Sequence, residues 1–370
     1  MRVPFNDLRS QHESLQPQLR EAMQEVIETS SFIRGAQVGA FEEAFARALG
    51  ARHCVSCASG TDALYISMRA LGVKPGDEVI TTAHSWISTS ETITQAGGRV
   101  VFCDTDDETL TLQPKAIEEK ITARTVGVIP VHLYGQPADM TAIMEIAGRH
   151  SLWVIEDCAQ AHLATFRGRR VGTFGETGIF SFYPGKNLGA MGDAGCIVTN
   201  DDALASWTAM FARHGGKGDH QIEGINSRMD TLQAAVLQVK LPHVARWTEA
   251  RTRTARLYDD LLSGVGDVVA PKVASHRDHV YHLYVVRTDH RDALRLRLKE
   301  GGVETGLHYP KALPFYPAYA YLGHKPQDFP VAYANQSRIL SLPIYPEMTL
   351  QMVNHTADII RGFFGAGPAT

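Results

Sequence analysis

The chain has 370 residues, more than a single domain usually contains, so we expect one large domain and a smaller one. Hydrophobic residues make up 44% and charged residues 21% of the chain, which is ordinary for a soluble globular protein. The formal net charge of −4 and the lack of a basic run argue against a nucleic-acid partner. No apolar run approaches membrane-spanning length, and residues 1–7 lack the apolar core of a signal peptide, so no membrane partner is expected.

The cysteines indicate a reducing environment. The chain has five, an odd number, and most lie in apolar, strand-like runs: Cys54, Cys57, Cys103, Cys158 and Cys196. Cys54 and Cys57 form a C-x-x-C pair, but no second pair and no histidine pair completes a zinc site. We therefore predict buried thiols, no metal site and a cytoplasmic location.

The hydrophobic pattern predicts an α/β fold. Apolar residues at helical spacing predict a helix over 9–29 and a second one through Phe41, Phe45 and Leu49. Strand-like and helical patterns then alternate. The predicted strands are 54–58, 79–82, 100–102, 126–133, 152–155, 179–183 and 196–199, and the helices between them include 61–71 and 142–150. Near-continuous apolar strands separated by helices indicate a mostly parallel sheet covered on both faces.

The pattern changes after Asp230. A helical stretch over 232–244 leads into an Arg-rich helix at 245–263. A strand at 281–286, a helix at 291–298 and a region rich in Pro and Tyr at 307–346 follow. We therefore predict a large domain over 1–244 and a smaller α+β domain over 245–370.

Ligands of such sheets bind beyond the carboxyl ends of the strands, so the residues that follow each strand are the candidates. After strand 54–58, Ser59, Gly60 and Thr61 open a helix whose exposed amides suit a phosphate group. The alternative for Ser59 or Thr61 is a plain helix N-cap. After strand 79–82, Trp86 could stack on a planar ring, or it could simply pack in the core.

Two further strand ends carry charged residues. Asp157 follows strand 152–155, and a carboxylate there needs a cationic partner such as a protonated pyridine nitrogen. Gln160 lies three residues on, and His162 either supports this site or is an ordinary buried histidine.

Lys186 lies on a glycine-rich turn that Pro184 and Gly185 open after strand 179–183. With Ser181 five residues before it, this lysine suits a Schiff base to pyridoxal phosphate beside a phosphate ligand. The alternative for a lone lysine is a solvated loop residue.

The order of these segments resembles the DegT/DnrJ/EryC1/StrS family of sugar aminotransferases. The matching segments cover nearly the whole chain: 4–8, 41–45, 59–64, 156–162, 180–195, 224–230, 308–310 and 341–343. The resemblance implies a fold-type I aminotransferase that binds pyridoxal 5′-phosphate and acts on a nucleotide-linked keto-sugar in deoxyamino sugar biosynthesis.

The resemblance also implies roles for single residues. Lys186 would form the Schiff base, and the cofactor would contact Ser181, Gly60, Thr61, Asp157 through its pyridine nitrogen, Gln160 through its phenolic oxygen, and Trp86 through its ring face. Asn226 would reach the phosphate of the neighbouring subunit, which implies a homodimer with shared active sites. The alternative for Asn226 is to cap the following helix. Substrate contacts would come from Arg228, His308 and Tyr309.

The implied reaction is a ping-pong transamination with glutamate as the amino donor. The run 182–193 looks more like relatives that aminate a 3-oxo carbon, and amination at a 4-oxo carbon is the alternative. A second alternative is a regulator that binds pyridoxal phosphate without turnover. Two departures from the family, Leu163 in place of glycine and the unmatched loop 214–224, affect the contacts around the sugar.

Overall fold

The computed structural model describes residues 1–216 and 218–367. The strands are β1 His53–Cys57, β2 Glu78–Thr82, β3 Arg99–Cys103, β4 Thr125–Ile129, β5 Trp153–Asp157, β6 Thr165–Phe166, β7 Arg169–Arg170, β8 Thr177–Ser181, β9 Gly195–Thr199, β10 Arg277–Asp278, β11 Tyr284–Arg287 and β12 Ile339–Leu342. The α-helices are α1 Leu8–Ser14, α2 Gln16–Thr29, α3 Ala36–Leu49, α4 Gly60–Ala70, α5 Ser88–Gln95, α6 Pro114–Glu118, α7 Met140–His150, α8 Asp202–Phe211, α9 Thr231–Lys240, α10 Val244–Leu262, α11 Arg291–Glu300, α12 Pro330–Asn335 and α13 Leu350–Phe363.

The main sheet has seven strands in the order β1-β9-β8-β5-β4-β2-β3. The pairs β2–β3, β2–β4, β4–β5 and β5–β8 are parallel, and β9 is antiparallel to both of its neighbours, β1 and β8. The prediction of a mostly parallel, helix-covered sheet is confirmed. The carboxyl ends of β1, β2, β4, β5 and β8 therefore meet at one edge of the sheet.

Alternate residues of the central strands enter different hydrophobic clusters, which explains why the strands are apolar throughout. Val154 and Phe180 belong to the cluster on one face, while Ile155 and Ile179 belong to the cluster on the other. On the first face, the ring of Phe45 in α3 lies 5.1 Å from that of Phe180, edge to face. The sheet is therefore buried on both sides, as parallel sheets are.

Several predicted boundaries are wrong, two of them because of proline. The predicted helix 9–29 is two helices, α1 and α2, since Pro17 in the first turn of α2 prevents a continuous helix. The predicted strand 126–133 ends at Ile129, because Pro130 cannot donate to a ladder, and a 3₁₀ turn follows at Leu133–Gly135. Strand β8 ends at Ser181, two residues before its predicted end.

The C-terminal part of the chain packs in two places. Strands β11 and β12 pair with each other and form a separate core with α10, α11 and α13, and Val3 also lies in this core. Residues 312–332 pack instead on the main sheet, where the rings of Tyr319 and Phe329 contact that of Phe102. The division into 1–244 and 245–370 stays a prediction.

All five cysteines are buried free thiols, which confirms their predicted packing. Within the described ranges, no helix is both long enough and apolar enough to span a membrane.

Candidate active site

A cavity of about 710 Å³ lies at the carboxyl edge of the sheet. Its wall includes residues that directly follow or end β1, β2, β4, β5 and β8. The wall contains most of the site residues predicted from the sequence: Gly60, Thr61, Trp86, Asp157, Gln160, Ser181, Lys186, His308 and Tyr309. The fold therefore brings together side chains that lie far apart in the sequence.

Lys186 lies on a tight turn after β8. Its backbone N–H donates to the carbonyl of Tyr183 at 2.9 Å. A Cβ at Gly189 would lie 2.2 Å from the carbonyl oxygen of Pro184, so the turn closes only around glycine. Removal from bulk water lowers the pKa of the half-buried Lys186 to about 8, although the charge of Asp157 opposes this shift. A useful fraction of this amine is therefore neutral and nucleophilic near physiological pH.

A second lysine, which the sequence analysis missed, supports this turn. Lys240, the last residue of α9, is fully buried, and its ammonium donates to the carbonyl of Gly189 at 2.8 Å. Its Nζ also lies 2.9 Å from Nε2 of His12. Nothing in the local sequence separates Lys240 from a surface lysine, because its partners come from other segments.

Asp157 ends β5 and is 5% exposed. The hydroxyl of Thr89 donates to its Oδ2 at 2.8 Å, and the N–H of Ala159 donates to its Oδ1 at 3.1 Å. Burial raises the pKa of Asp157, while these hydrogen bonds and the charge of Lys186 lower it. Among the described residues, no cation lies at ion-pair distance from it, so the carboxylate has room for a cationic ligand atom.

The N-terminus of α4 and Ser181 form one corner of the cavity. The hydroxyl of Ser59 caps the helix by accepting the N–H of Asp62 at 3.0 Å. The N–H groups of Gly60 and Thr61, in the first turn, have no partner within the helix. A Cβ at Gly60 would lie 2.7 Å from the Cβ of Ser181, so strand and helix meet closely here. The hydroxyl of Ser59 caps only one amide, so the N–H groups of Gly60 and Thr61 stay available to an anion.

Gln160, Tyr309 and Trp86 lie next to one another. The Nε2 group of Gln160 donates to the hydroxyl of Tyr309 at 2.9 Å, and its Oε1 accepts the N–H of Tyr134 at 2.6 Å. An amide nitrogen has two hydrogens, so one donor of Gln160 remains for a ligand. The side chain of Trp86 is 57% exposed and its ring lies 5.6 Å from that of Tyr309, so Trp86 is not a core residue.

His308 and Tyr309 are held by residues from the first half of the chain. The N–H of Tyr309 donates to Nε2 of His84 at 3.1 Å, and the hydroxyl of Tyr134 donates to the carbonyl of His308. Burial lowers the pKa of His84 to about 4, so this imidazole is a neutral acceptor. His84 and Tyr134 were not predicted as site residues from the sequence, although His84 follows β2 and the strand-end rule covers it.

Asn226 and Arg228 are not in the cavity wall. Asn226 is exposed, and its side-chain amide makes no hydrogen bond within the described part of the chain. The neighbouring Ser227 donates its hydroxyl to Asp62 at 2.6 Å, whereas the N-cap of α9 is Asp230. The helix-capping alternative for this segment is therefore wrong.

His162 lies behind the cavity and not in its wall. It is fully buried between the rings of Phe180 and Phe182, at 5.6 and 5.7 Å, and neither ring nitrogen has a hydrogen-bond partner among the described residues. Burial, followed by the charge of Lys186, lowers its pKa to about 3. In the loop 214–224, Lys217 lies outside the described residues.

His132, Glu156 and Cys158 place ligand atoms within 4.8 Å of one another, as a metal site would. The carboxylate of Glu156 already accepts four hydrogen bonds, from His132 Nε2 at 3.1 Å and from the N–H groups of Gly172 at 2.8 Å, Phe174 at 2.6 Å and Gly175 at 3.0 Å. His132 Nδ1 accepts the N–H of Ala138 at 2.9 Å. Hydrogen bonds thus occupy the ligand atoms of His132 and Glu156, so this cluster is a hydrogen-bonded network next to Asp157 in the sequence.

The donor set around the cavity fits pyridoxal phosphate. The free amides of α4 and the hydroxyl of Ser181 suit its phosphate group. The buried carboxylate of Asp157 suits its pyridine nitrogen, and the amine of Lys186 suits its aldehyde.

The comparisons with known proteins agree with this geometry. The model of the DegT/DnrJ/EryC1/StrS aminotransferase family matches residues 13–361. The chain is 44% identical over 368 residues to the pleiotropic regulatory protein of Geobacillus stearothermophilus, covering 98% of this chain and 99% of that protein. It is 40% identical over 364 residues to dTDP-3-amino-3,4,6-trideoxy-alpha-D-glucose transaminase of Streptomyces venezuelae, covering 97% and 96%.

Among solved structures, the crystal structure of S. venezuelae DesV in complex with a ketimine intermediate matches with a TM-score of 0.96 and 40% identity over 98% of each chain. Fold, cavity and sequence agree over nearly the full length. The chain belongs to the DegT/DnrJ/EryC1/StrS aminotransferase family.

Proposed function

We propose that this aminotransferase moves an amino group from glutamate to a nucleotide-linked 3-oxo-deoxyhexose by a ping-pong mechanism. The cofactor is pyridoxal 5′-phosphate. The observation that carries the proposal is that one cavity contains a lysine of lowered pKa, a buried carboxylate and the first amides of a helix, and that among residues 1–216 and 218–367 the carboxylate has no cationic partner and these amides have no hydrogen-bonding partner.

The chain's own residues each have a defined task. Pyridoxal phosphate, when bound, supplies an aldehyde that condenses with amines and a ring that withdraws electrons. The Nζ of Lys186 accepts the proton from Cα of the amino donor and later returns a proton at the sugar carbon, acting as general base and then general acid. The carboxylate of Asp157 keeps the ring nitrogen protonated. The amides of Gly60 and Thr61 and the hydroxyl of Ser181 orient the phosphate.

The sugar assignment rests on two supports. The relative from S. venezuelae carries a 3-amino sugar in its name, and the run 182–193 resembles relatives that aminate the 3-oxo carbon. The cavity volume of about 710 Å³ lies within the range for small-molecule sites. Amination at a 4-oxo carbon is the alternative.

The five buried free thiols suit a protein of the reducing cytoplasm, which is the location that we propose.

We also propose a homodimer in which each active site uses residues of both subunits. His308 and Tyr309 lie in the wall of their own cavity, whereas Asn226 is exposed and lies outside it. Next to that segment, Phe32 and Ile33 expose 46% and 50% of their surface, and such apolar exposure marks interaction sites. Asn226 would then contact the partner's cofactor phosphate, and Arg228 would contact the partner's substrate.

The second candidate is a regulator that binds the cofactor without turnover. The name of the Geobacillus stearothermophilus relative favours it. An absorbance experiment separates the two functions. The protein loaded with pyridoxal phosphate is mixed with glutamate, and the cofactor band and the 2-oxoglutarate released are measured.

We expect the band to bleach with about one 2-oxoglutarate per site, and the band to be restored by a nucleotide-linked 3-oxo sugar in preference to a 4-oxo sugar. Lys186→Ala should abolish both changes, because the amine is lost, while the oligomeric state persists, because the side chain lies in the cavity wall. A band that no amino donor changes would contradict the transaminase and support the regulator.

A further inference from the structure

Four arginines of the described chain have a buried Nε that makes no well-aligned hydrogen bond: Arg251, Arg277, Arg291 and Arg338. Three of these still have a carboxylate at ion-pair distance: Nε of Arg291 lies 2.5 Å from Asp292, Nε of Arg338 lies 2.7 Å from Asp289, and Nη2 of Arg277 lies 3.7 Å from Asp139. Arg251 has no such partner among the described residues. It is also the one of these four that lies in the cavity wall.

Arg251 projects from α10 and is 3% exposed. Its Nη1 donates to the carbonyls of Ile344 at 2.7 Å and Tyr281 at 3.2 Å. Burial lowers its pKa to about 10, so the guanidinium stays charged at neutral pH. These two bonds occupy Nη1 and leave the N–H groups of Nε and Nη2 without a partner among the described residues. A buried charge with no carboxylate in contact is unfavourable, so an anionic ligand at Arg251 would stabilise it.

Residues 280–282 connect Arg251 to the turn that carries Lys186. On one side, the carbonyl of Tyr281 accepts from Arg251. On the other, Asn187 donates to the carbonyl of Val280 at 2.9 Å, and its Oδ1 lies 3.3 Å from Nδ1 of His282. Burial, and then the charges of Lys186 and Arg251, lower the pKa of His282, so both cations lie near one neutral imidazole in the cavity wall.

Glu347 is the acid whose charge acts on Arg251. It does not neutralise the guanidinium directly, since the two are not at ion-pair distance and the buried Oε2 of Glu347 has no hydrogen-bond partner among the described residues. Burial raises the pKa of Glu347, which disfavours its charged form.

We propose that Arg251 binds a carboxylate of the amino donor, and of the 2-oxo acid that the donor becomes. The planar fork of a guanidinium binds a carboxylate through two parallel N–H···O bonds, which fixes the ligand's orientation as well as its place. Arg251 and Lys186 lie in the wall of the same cavity, so an amino acid held by Arg251 would share that cavity with the Lys186 amine. This inference rests on the proposed aminotransferase function and adds the residue that selects an acidic donor.

The test measures binding separately from turnover. Protein loaded with pyridoxal phosphate, which has no amine to transfer to a 2-oxo acid, is titrated calorimetrically with 2-oxoglutarate, and in parallel with dTDP as the probe for nucleotide phosphates. Arg251→Gln removes the charge, and Arg251→Lys keeps the charge but loses the fork. Arg291→Lys is the matched control, because Arg291 is also buried and bonds two carbonyls, at 3.4 Å each, outside the cavity wall.

Both Arg251 variants should weaken 2-oxoglutarate binding by roughly tenfold or more, with dTDP affinity unchanged and the control like wild type. The rate with subsaturating glutamate should fall by the same factor. If Arg251→Gln does not fold, Arg251→Lys carries the test. Unchanged 2-oxoglutarate affinity would overturn the proposal, and so would a loss confined to dTDP, which would assign Arg251 to the nucleotide.

The remaining alternative is that Arg251 has only a structural role, as the charge partner of Glu347. In that case Arg251→Gln and Glu347→Gln would lower the melting temperature alike and leave 2-oxoglutarate affinity intact, which overturns the proposal. A different outcome would contradict the proposed function itself: the wild-type protein would then react with no amino donor. A wild type that reacts, with variants that bind 2-oxoglutarate normally, refutes only the role of Arg251.

Discussion

Lys186 shows how the position of one side chain sets its chemistry. An exposed lysine is almost fully protonated at neutral pH and cannot attack a carbonyl. In the cavity, burial lowers the pKa from 10.5 to about 8, and the nearby carboxylate of Asp157 limits the shift. The same burial that would be unfavourable for a structural lysine makes this one reactive.

The pH dependence of cofactor attachment follows from this pKa. We expect the rate at which cofactor-free protein reacts with pyridoxal phosphate to rise with pH and level off above a midpoint near 8, not near 10.5. The sign is set by the amine, which is protonated and unreactive below the pKa and neutral above it. Stopped-flow absorbance over the neutral to alkaline range measures the rate. A midpoint at the ordinary lysine value would contradict the prediction, and Lys186→Ala should lack the phase entirely.

The site residues that could be predicted from the sequence differ in one respect from the site residues that could not. Lys186, Asp157 and Gly60 follow or end strands, so a rule about strand ends finds them. Arg251 lies in the Arg-rich helix α10. Only the orientation of this helix in the fold buries Arg251 and leaves the neighbouring arginines exposed. Lys240 likewise depends on a carbonyl 51 residues away. Such contacts are properties of packing and leave no local pattern.

Among the strands and helices, β9 contacts most directly the corner of the cavity that the N-terminus of α4 and Ser181 form. A Cβ at Gly195, the first residue of β9, would lie 2.3 Å from the carbonyl carbon of Ser59 and 2.6 Å from the backbone nitrogen of Gly60. The strand therefore supports the N-terminus of α4 by backbone contact. Its antiparallel direction was not predicted, although the connection 182–194 contains no helix, and parallel neighbours usually need one.

Gly195→Ala tests this support. The added methyl group must displace the first turn of α4, so we expect affinity for pyridoxal phosphate to fall on the order of tenfold or more, about 1.4 kcal/mol. Absorbance titration of the cofactor-free protein measures it. Gly39→Ala, in α3, is the control, since its Cβ would meet no atom within 4 Å. That change should leave affinity alone and stabilise the fold by about 0.5–1 kcal/mol. Equal affinities for both variants would refute the support role.

At the scale of the whole molecule, the proposal that each active site uses residues of both subunits can be tested by mixing two variants. Lys186→Ala chains are mixed with Asn226→Asp chains, whose added carboxylate would repel the phosphate of the partner's cofactor. If sites are shared, a mixed dimer has one site with both lesions and one intact site, so activity should reappear on mixing. Transaminase rates before and after subunit exchange measure the recovery.

The complementation requires that each variant alone is inactive and that chains exchange, which differently tagged chains would report. If exchange is demonstrated and activity stays absent, each site is built from one chain and the shared-site proposal fails.

The packing of residues 312–332 on the main sheet has a consequence for how the chain folds. The hydroxyl of Tyr319 donates to Ser90 at 2.7 Å across 229 residues of sequence, and the ring of Tyr319 covers Phe102. Closing so long a loop is entropically unfavourable and slow. During synthesis, the N-terminal strands leave the ribosome first, and the surface around Phe102 stays uncovered until residues 312–332 arrive. The nascent chain therefore has an exposed, apolar sheet face for most of its synthesis, and this is where chaperone binding or aggregation would begin.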